Sequence, residues 1–94
     1  MFKPLDPLLH SELRLAIISL LISVKEAEFS FVKEKTGASA GNLSVQISKL
    51  SEAAYIHIEK TYRNNYPLTL LRITPKGIEA FEEYVMHLQA YIKK

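Results

Sequence analysis

Apolar residues are unusually dense between Leu13 and Val24, where they cover most of the circumference of the helix that they predict. Asp6 followed by Pro7 can begin this helix, and Ser11 is a second candidate for its N-cap. A helix that is apolar on nearly all sides is expected to be buried on more than one side. We therefore expect it to contact its own domain on one side and a partner chain on another.

Two further helices joined by a short turn are predicted next. The first runs from about Ser30 to Thr36, with Gly37 in the C-terminal stop position. The second spans Ser39–Ala53, and its apolar residues recur at helical intervals. Two helices separated by so few residues must cross steeply, which is the helix-turn-helix arrangement. The apolar stripe of the second helix consists of Leu43, Ile47, Leu50 and Ala54.

Alternating apolar and polar residues then predict two strands. Residues 55–62 (YIHIEKTY) alternate in period two, and residues 68–74 (LTLLRIT) form the second strand. The turn-forming residues 63–67 (RNNYP) separate them, so the pair should form a β hairpin. We expect Tyr62 and Tyr66 to pack on this hairpin.

The last helix begins after Thr74, an N-cap candidate that precedes a proline. Its apolar residues recur at intervals of three and four, the heptad spacing of a helix that packs along a seam. One small domain does not need so long a seam, so we expect this helix to join two copies of the chain. The seam consists of Ile78, Phe81, Val85, Leu88 and Ile92.

The elements follow the order helix, helix, helix, hairpin, helix, which is a winged helix-turn-helix. The expected fold class is mainly α with a small β hairpin (α+β), ending in a C-terminal dimerisation helix. The 94 residues suit a single domain, residues 1–94. Its expected parts are an N-terminal helical segment, the helix-turn-helix, the wing and the dimerisation helix, at residues 1–28, 29–53, 54–74 and 75–94.

The face of the third helix opposite its apolar stripe is small and polar. In a helix-turn-helix, this second helix of the pair enters the DNA major groove by its N-terminal residues. Small residues let the backbones approach, and amide and hydroxyl side chains can hydrogen-bond to DNA. The candidate DNA-binding residues on this helix are Ser39, Ala40, Gly41, Asn42, Ser44, Val45, Gln46, Ser48 and Lys49, and those on the wing are Lys60, Arg63, Asn64, Asn65 and Arg72.

Three stretches also resemble a known group of proteins: LDPLLHSELRLAIISLL, FVKEKTGASAGNLSVQISKLSEAAYI, and RITPKGIEAFEEY after the hairpin. Together they resemble the small winged-helix transcriptional regulators related to the MarR, PadR and ArsR groups. The resemblance implies sequence-specific binding of double-stranded DNA by a homodimer, usually to repress transcription. One departure is Ala54, where such regulators commonly have glycine, so the end of the recognition helix is expected to be tighter or longer than usual.

Charge is distributed unevenly along the chain. The net charge is +2, but residues 29–77 alone carry seven Lys or Arg against three Asp or Glu. Positive charge in the central segment fits a surface that binds a polyanion. The chain has no cysteine, no signal peptide is evident, and no apolar run is long enough to span a membrane. We therefore expect a cytoplasmic protein.

The sequence offers no pattern typical of an enzyme or of a metal site. His10, His57 and His87 are too scattered to suggest metal ligands, and no cysteine joins them. Acidic residues near the start of the last helix favour its dipole, and there is no Gly-rich phosphate loop or nucleophile elbow. We expect no catalytic activity, no cofactor and no metal.

Two alternatives to DNA binding alone stay open at this point. A winged helix can bind another protein through its recognition face, or the dimer can respond to an apolar ligand held between the first and last helices, with Tyr84 and Tyr91 as polar contacts. Under every alternative that includes a homodimer, the interface should lie on the terminal helices. The expected interface residues are Leu8, Leu9, Ile78, Phe81, Tyr84, Val85, Leu88, Tyr91 and Ile92.

Overall fold

Four helices and a three-stranded antiparallel sheet form a winged helix in the computed structural model, which describes residues 2–92. This α+β architecture confirms the predicted fold. The last two residues of the predicted C-terminal helix lie outside the described residues. The elements are α1 (Glu12–Val24), β1 (Glu26–Glu28), α2 (Phe29–Thr36), α3 (Ala40–Glu52), β2 (Ile56–Arg63), β3 (Tyr66–Ile73) and α4 (Pro75–Ile92).

The first helix begins at Ser11, the second of the two predicted N-caps. Asp6 instead closes a turn, because its carboxylate accepts a hydrogen bond from the backbone N–H of Leu8 at 2.9 Å. Its other carboxylate oxygen accepts from the hydroxyl of Tyr55. Burial, together with this hydrogen bond, raises the pKa of Tyr55 to about 12, so the hydroxyl keeps its proton even at pH values where an ordinary tyrosine ionises. Asp6 therefore ties the N-terminal segment to the start of the hairpin.

The core is formed where α1 packs against the other helices and β3. Ile17, Ile18 and Leu21 of α1 are buried, so most of the apolar surface of this helix is covered by its own chain. Apart from Val24 at its C-terminal end, which is 40% exposed, what α1 leaves exposed is small or polar: Glu12, Ala16, Ser19 and Ser23. The other core residues are Leu9, Ala27, Val32, Leu43, Ile47, Leu50, Ile56, Leu71 and Tyr84.

The sheet contains a strand that the sequence pattern did not predict. β1 pairs antiparallel with the C-terminal part of β3, with Ala27 opposite Leu71, and the strand order is β1-β3-β2. Its Glu-Ala-Glu sequence offers only one apolar residue, and its pairing partner lies far along the chain. The strand forms because Ala27 reaches the core between two outward-facing glutamates.

The hairpin turn is tighter than predicted. Asn64 and Asn65 form a two-residue turn with φ values of 52° and 66°. Two central residues with positive φ are typical of a type I′ turn, which suits the twist of a hairpin and favours asparagine. β3 therefore begins at Tyr66 and includes Pro67, which faces Tyr62, and the predicted break over residues 63–67 is wrong.

The end of α3 forms a Schellman motif around Ala54. The backbone N–H of Ala54 donates to the carbonyl of Ser51, and that of Tyr55 donates to the carbonyl of Leu50, each at 2.9 Å. Ala54 takes a φ of 64°, which costs a residue that has a Cβ. The helix end is thus tight rather than long. Ala54 is also exposed, so it was wrongly assigned to the apolar stripe.

Glycine at this position should stabilise the protein. Ala54→Gly relieves the left-handed strain but adds freedom to the unfolded chain, so we expect a gain of about 0.5 to 1 kcal/mol. The control is Ala53→Gly, because Ala53 has a φ of −81° that alanine adopts freely, and that change should destabilise. Thermal unfolding followed by circular dichroism measures both. Equal effects of the two substitutions would contradict this account.

The start of α4 packs tightly against the start of the hairpin. The Thr74 hydroxyl donates to the carbonyl of Tyr55 at 3.0 Å and accepts from the N–H of Gly77 at 3.0 Å. Gly77 is buried, and a Cβ built on it would lie 2.2 Å from the carbonyl oxygen of Tyr55. Only glycine therefore fits where α4 crosses the hairpin.

Candidate nucleic-acid interface

The turn between α2 and α3 is held by local hydrogen bonds. Gly37 takes a φ of 72° and ends α2, because its N–H donates to the carbonyl of Lys33 while the chain reverses. Ser39 then caps α3 by accepting a hydrogen bond from the N–H of Asn42 at 3.2 Å. The predicted range Ser39–Ala53 consists of this helix and its two capping residues.

One face of α3 is anchored and the opposite face is open. Leu43, Ile47 and Leu50 are buried, which fixes the rotation of the helix about its axis. The exposed residues are Ala40, Gly41, Asn42, Ser44, Val45, Ser48 and Lys49, which are all predicted DNA-binding residues, and Glu52 at the C-terminal end of the helix, which is not. We call Gly41, Ser44, Val45, Ser48 and Lys49 the recognition face.

The flank of α3 that faces α1 carries a directed chain of hydrogen bonds. Arg14 donates to Gln46 Oε1, and Gln46 Nε2 donates to Asn42 Oδ1 at 3.0 Å. Because arginine has only donors, the orientation of the Gln46 amide is set by its partner. Gln46 is half-buried by these contacts, so it supports Asn42 rather than standing free. Arg14 was not predicted, because nothing local relates it to a residue 32 positions away.

The arginine in the centre of the sheet is already paired. Arg72 donates to Glu26 of β1 and to Glu59 of β2, which flank it on the outer surface of the sheet. Its hydrogen bonds to these two carboxylates raise the pKa of the guanidinium, and the bond to Glu26 has the larger effect. With two carboxylates around one guanidinium, this cluster is not a site for a phosphate. Arg72 is therefore a poor candidate for DNA contact, contrary to the prediction.

The other predicted wing residues lie nearer the tip. Arg63 pairs with Glu28 at 3.0 Å in an exposed ion pair, which is typically weak. Lys60, Asn64 and Asn65 are exposed. Strand alternation puts Lys60 on the opposite surface of the hairpin from Arg63, so the wing cations do not form one patch.

The two tyrosines of the wing do not pack as predicted. Tyr62 and Tyr66 are 74% and 75% exposed. Tyr62 faces Pro67 across the strands and Tyr66 faces Arg63, so the two rings lie on opposite surfaces of the hairpin and cannot cover each other. Both rings therefore stand beside the turn at the tip.

The predicted dimer residues divide into enclosed and accessible sets. Leu9 is fully buried in its own core, so its assignment to an interface is wrong. Tyr84 is also buried, and its hydroxyl lies 3.1 Å from Nδ1 of His10, so the hydroxyl is already engaged, although the residue lines the groove between α1 and α4. Leu8, Ile78, Phe81 and Leu88 are half-buried, and Val85, Tyr91 and Ile92 are exposed.

An open apolar groove of about 360 Å³ runs between α1 and α4. Leu15 and Ala16 line one side, and Phe81, Val85 and Leu88 line the other. From Val85 at the groove, the apolar strip of α4 continues to Ile92, seven residues further along in heptad spacing. The accessible part of the predicted seam therefore lies at the rim of the groove.

The described part of the chain contains neither a metal-binding cluster nor a membrane-spanning helix. Among residues 2–92, no three His, Cys, Asp or Glu side chains come together in a group that could hold a metal ion. No helix over the same residues has the length and apolar character needed to cross a membrane.

Comparisons with known proteins agree with this geometry. A family model described as a winged helix DNA-binding domain matches residues 13–92. An uncharacterized protein of Methanocaldococcus jannaschii is 32% identical over 79 residues, which cover 84% of this chain and 86% of that protein.

Solved structures show the same similarity. A transcriptional regulator homologue from Pyrococcus horikoshii matches with a TM-score of 0.85 and 27% identity, over 90% of this chain and 84% of that one. Sco5413, a MarR family transcriptional regulator from Streptomyces coelicolor, matches with a TM-score of 0.64 and 22% identity, over 84% of this chain and 54% of that one.

Proposed function

Because the chain belongs to the family of winged helix DNA-binding domains, we propose that it is a transcriptional repressor that binds double-stranded DNA sequence-specifically as a homodimer. The observation that carries this proposal is the recognition face of α3. It is open and small, and it is held outward by three buried residues on the other side of the helix. The cytoplasm is its proposed location.

The N-terminal turn of α3 supplies the first contacts with DNA. The backbone N–H groups of Ala40 and Gly41 have no acceptor inside the helix, so they can donate to a phosphate. Ser44 and Ser48 point their hydroxyls toward base edges, and Lys49, which lies one turn after Val45, meets the DNA backbone. Asn42 lies at the edge of this surface, oriented by Gln46.

The wing contributes contacts that do not depend on sequence. Lys60 and the amides of Asn64 and Asn65 are exposed near its tip and can donate to phosphates. Arg63 joins them when it leaves Glu28, a change that costs little because the pair is exposed. Arg72 has no part in this scheme.

The proposed dimer pairs two recognition helices. A two-fold interface along the accessible strip of α4 covers Val85 and Ile92 in both protomers. Two recognition helices related in this way bind half-sites about one DNA turn apart. Repression then follows from occupancy of the major groove at a promoter.

The proposal is tested by selecting bound duplexes from a random DNA pool and measuring affinity at several salt concentrations. If the dimer neutralises roughly four to eight phosphates, log affinity should fall with log salt at a slope of about −4 to −7. We expect the selected sequences to share an inverted repeat. A flat salt response without a shared motif would favour the protein-binding alternative.

Regulation by a small apolar ligand stays a prediction. The two hydroxyls expected to contact the ligand are already in use, since Tyr84 bonds to His10 and Tyr91 donates to the carbonyl of Lys3 at 3.4 Å. Neither hydroxyl is free to orient a ligand in the groove between α1 and α4. Comparing affinity for the selected duplex with and without candidate ligands tests this alternative.

A further inference from the structure

An apolar side chain stands in the centre of the recognition face. Val45 is 51% exposed, although it belongs to a helix whose other large apolar residues are all buried. Gly41 lies one turn before it, and Ser44 and Ser48 lie beside it on the same face. These neighbours are small, so the isopropyl group of Val45 stands above its surroundings.

No packing contact among residues 2–92 accounts for this valine. It lies on the side of α3 opposite Leu43, Ile47 and Leu50, and it is absent from the packed core and its surrounding apolar shell. β-branched residues are also weaker helix formers than alanine or the unbranched residues. Single exposed apolar residues are common on protein surfaces, but this one occupies the middle of the surface that approaches DNA.

The major groove offers one apolar group, the 5-methyl of thymine. On this basis, and resting on the proposed function, we propose that Val45 determines specificity by contacting the methyl group of one thymine in each half-site. The small neighbours allow the approach, because a Cβ added at Gly41 would meet nothing within 4 Å, which leaves open space beside the valine. The polar neighbours Ser44 and Ser48 are then placed over the adjoining base pairs.

The composition of the face favours DNA over a protein partner. The centre of a protein interface is typically built from aromatic, methionine or arginine side chains in a dry cluster. Val45 has glycine, serine and lysine around it instead. Lys49, one turn further on, supplies a positive charge that suits a phosphate beside the groove.

The experiment replaces each thymine of the selected duplex in turn by deoxyuridine, which removes only the methyl group. At one position in each half-site, this replacement should lower the affinity of the wild-type protein about fourfold, which is the change expected when the burial of one methyl group is lost. Substitution in both half-sites together should lose about fifteenfold. Val45→Ala should bind the thymine and deoxyuridine duplexes equally well.

Matched variants separate this contact from general effects. Val45→Thr keeps one methyl and should retain part of the preference, whereas Ser48→Ala should retain all of it. Because Val45 is exposed, the thermal unfolding of each variant should match that of the wild type or exceed it.

Three results would overturn the inference. The first is a wild-type affinity that deoxyuridine leaves unchanged at every position, and the second is a selected half-site without thymine. The third is a Val45→Ala variant that keeps the wild-type preference for thymine over deoxyuridine. None of them affects the salt dependence or the existence of a selected motif. Failure of the thymine contact and failure of DNA binding itself are therefore distinguishable.

Discussion

Gly77→Ala should unfold most of the protein or lower its stability by about 3 kcal/mol, since inserting atoms into a packed site typically costs 1 to 3 kcal/mol and sometimes more. The added methyl would lie 2.2 Å from the carbonyl oxygen of Tyr55 and 2.9 Å from Cδ1 of Ile73. The first of these neighbours is backbone and cannot rotate away. The start of α4 must therefore move, which breaks the hydrogen bonds that the backbone N–H and the hydroxyl of Thr74 donate to the carbonyl of Tyr55.

The matched control is Gly41→Ala, which adds the same methyl in open space within α3. Alanine is the better helix former, so this variant should gain about 0.5 to 1 kcal/mol. Denaturant unfolding followed by circular dichroism measures both variants. If both glycines tolerate alanine equally, the close packing at the start of α4 does not limit stability.

Val85→Glu should convert the proposed dimer to a folded monomer. In a two-fold interface the substitution places one carboxylate in each half of the seam, where a buried unpaired charge typically costs about 3 to 5 kcal/mol. The dimer dissociation constant should therefore rise by at least about a hundredfold. Val85 is 37% exposed in the single chain, so the fold of each protomer should tolerate the change. Light scattering measures the mass, and circular dichroism checks the fold.

Met86→Glu is the control for this variant. Met86 is 58% exposed on the same helix, and the helical repeat turns it away from the strip of Val85 and Ile92. This change should leave the dimer intact. A monomeric wild type, or a dimeric Val85→Glu variant, would contradict the interface. Leu88 is less suitable for the test, because it packs on the core of its own chain.

Sequence patterns predicted best what depends on neighbouring residues. The caps Ser11, Ser39 and Thr74 and the stop at Gly37 involve residues within one turn, so the predicted helices agree closely with the observed ones. Helical periodicity also predicted the open face of α3, because three buried residues determine what faces outward. The family model for winged helix DNA-binding domains, which matches residues 13–92, agrees with the fold that these local patterns predict.

Features that depend on distant residues were missed. β1 exists only because β3 pairs with it, and the pairing of Arg72 with Glu26 follows from that register. The support that Arg14 gives to Gln46 depends on how α1 crosses α3. The sequence therefore predicted which face of α3 is open, but not which of the charges and amides near it were already engaged.

The position of Pro67 affects how the sheet behaves toward other molecules. β1 pairs only with residues 70–72, so the first half of β3 has an open edge on that side. In a two-residue hairpin the pair flanking the turn is hydrogen-bonded, so at position 67 the backbone nitrogen faces away from β2, toward this open edge. Proline has no N–H there, which removes a donor that a foreign strand would need. The β3 edge of the wing is thus protected against edge-to-edge association without any loss from its own ladder.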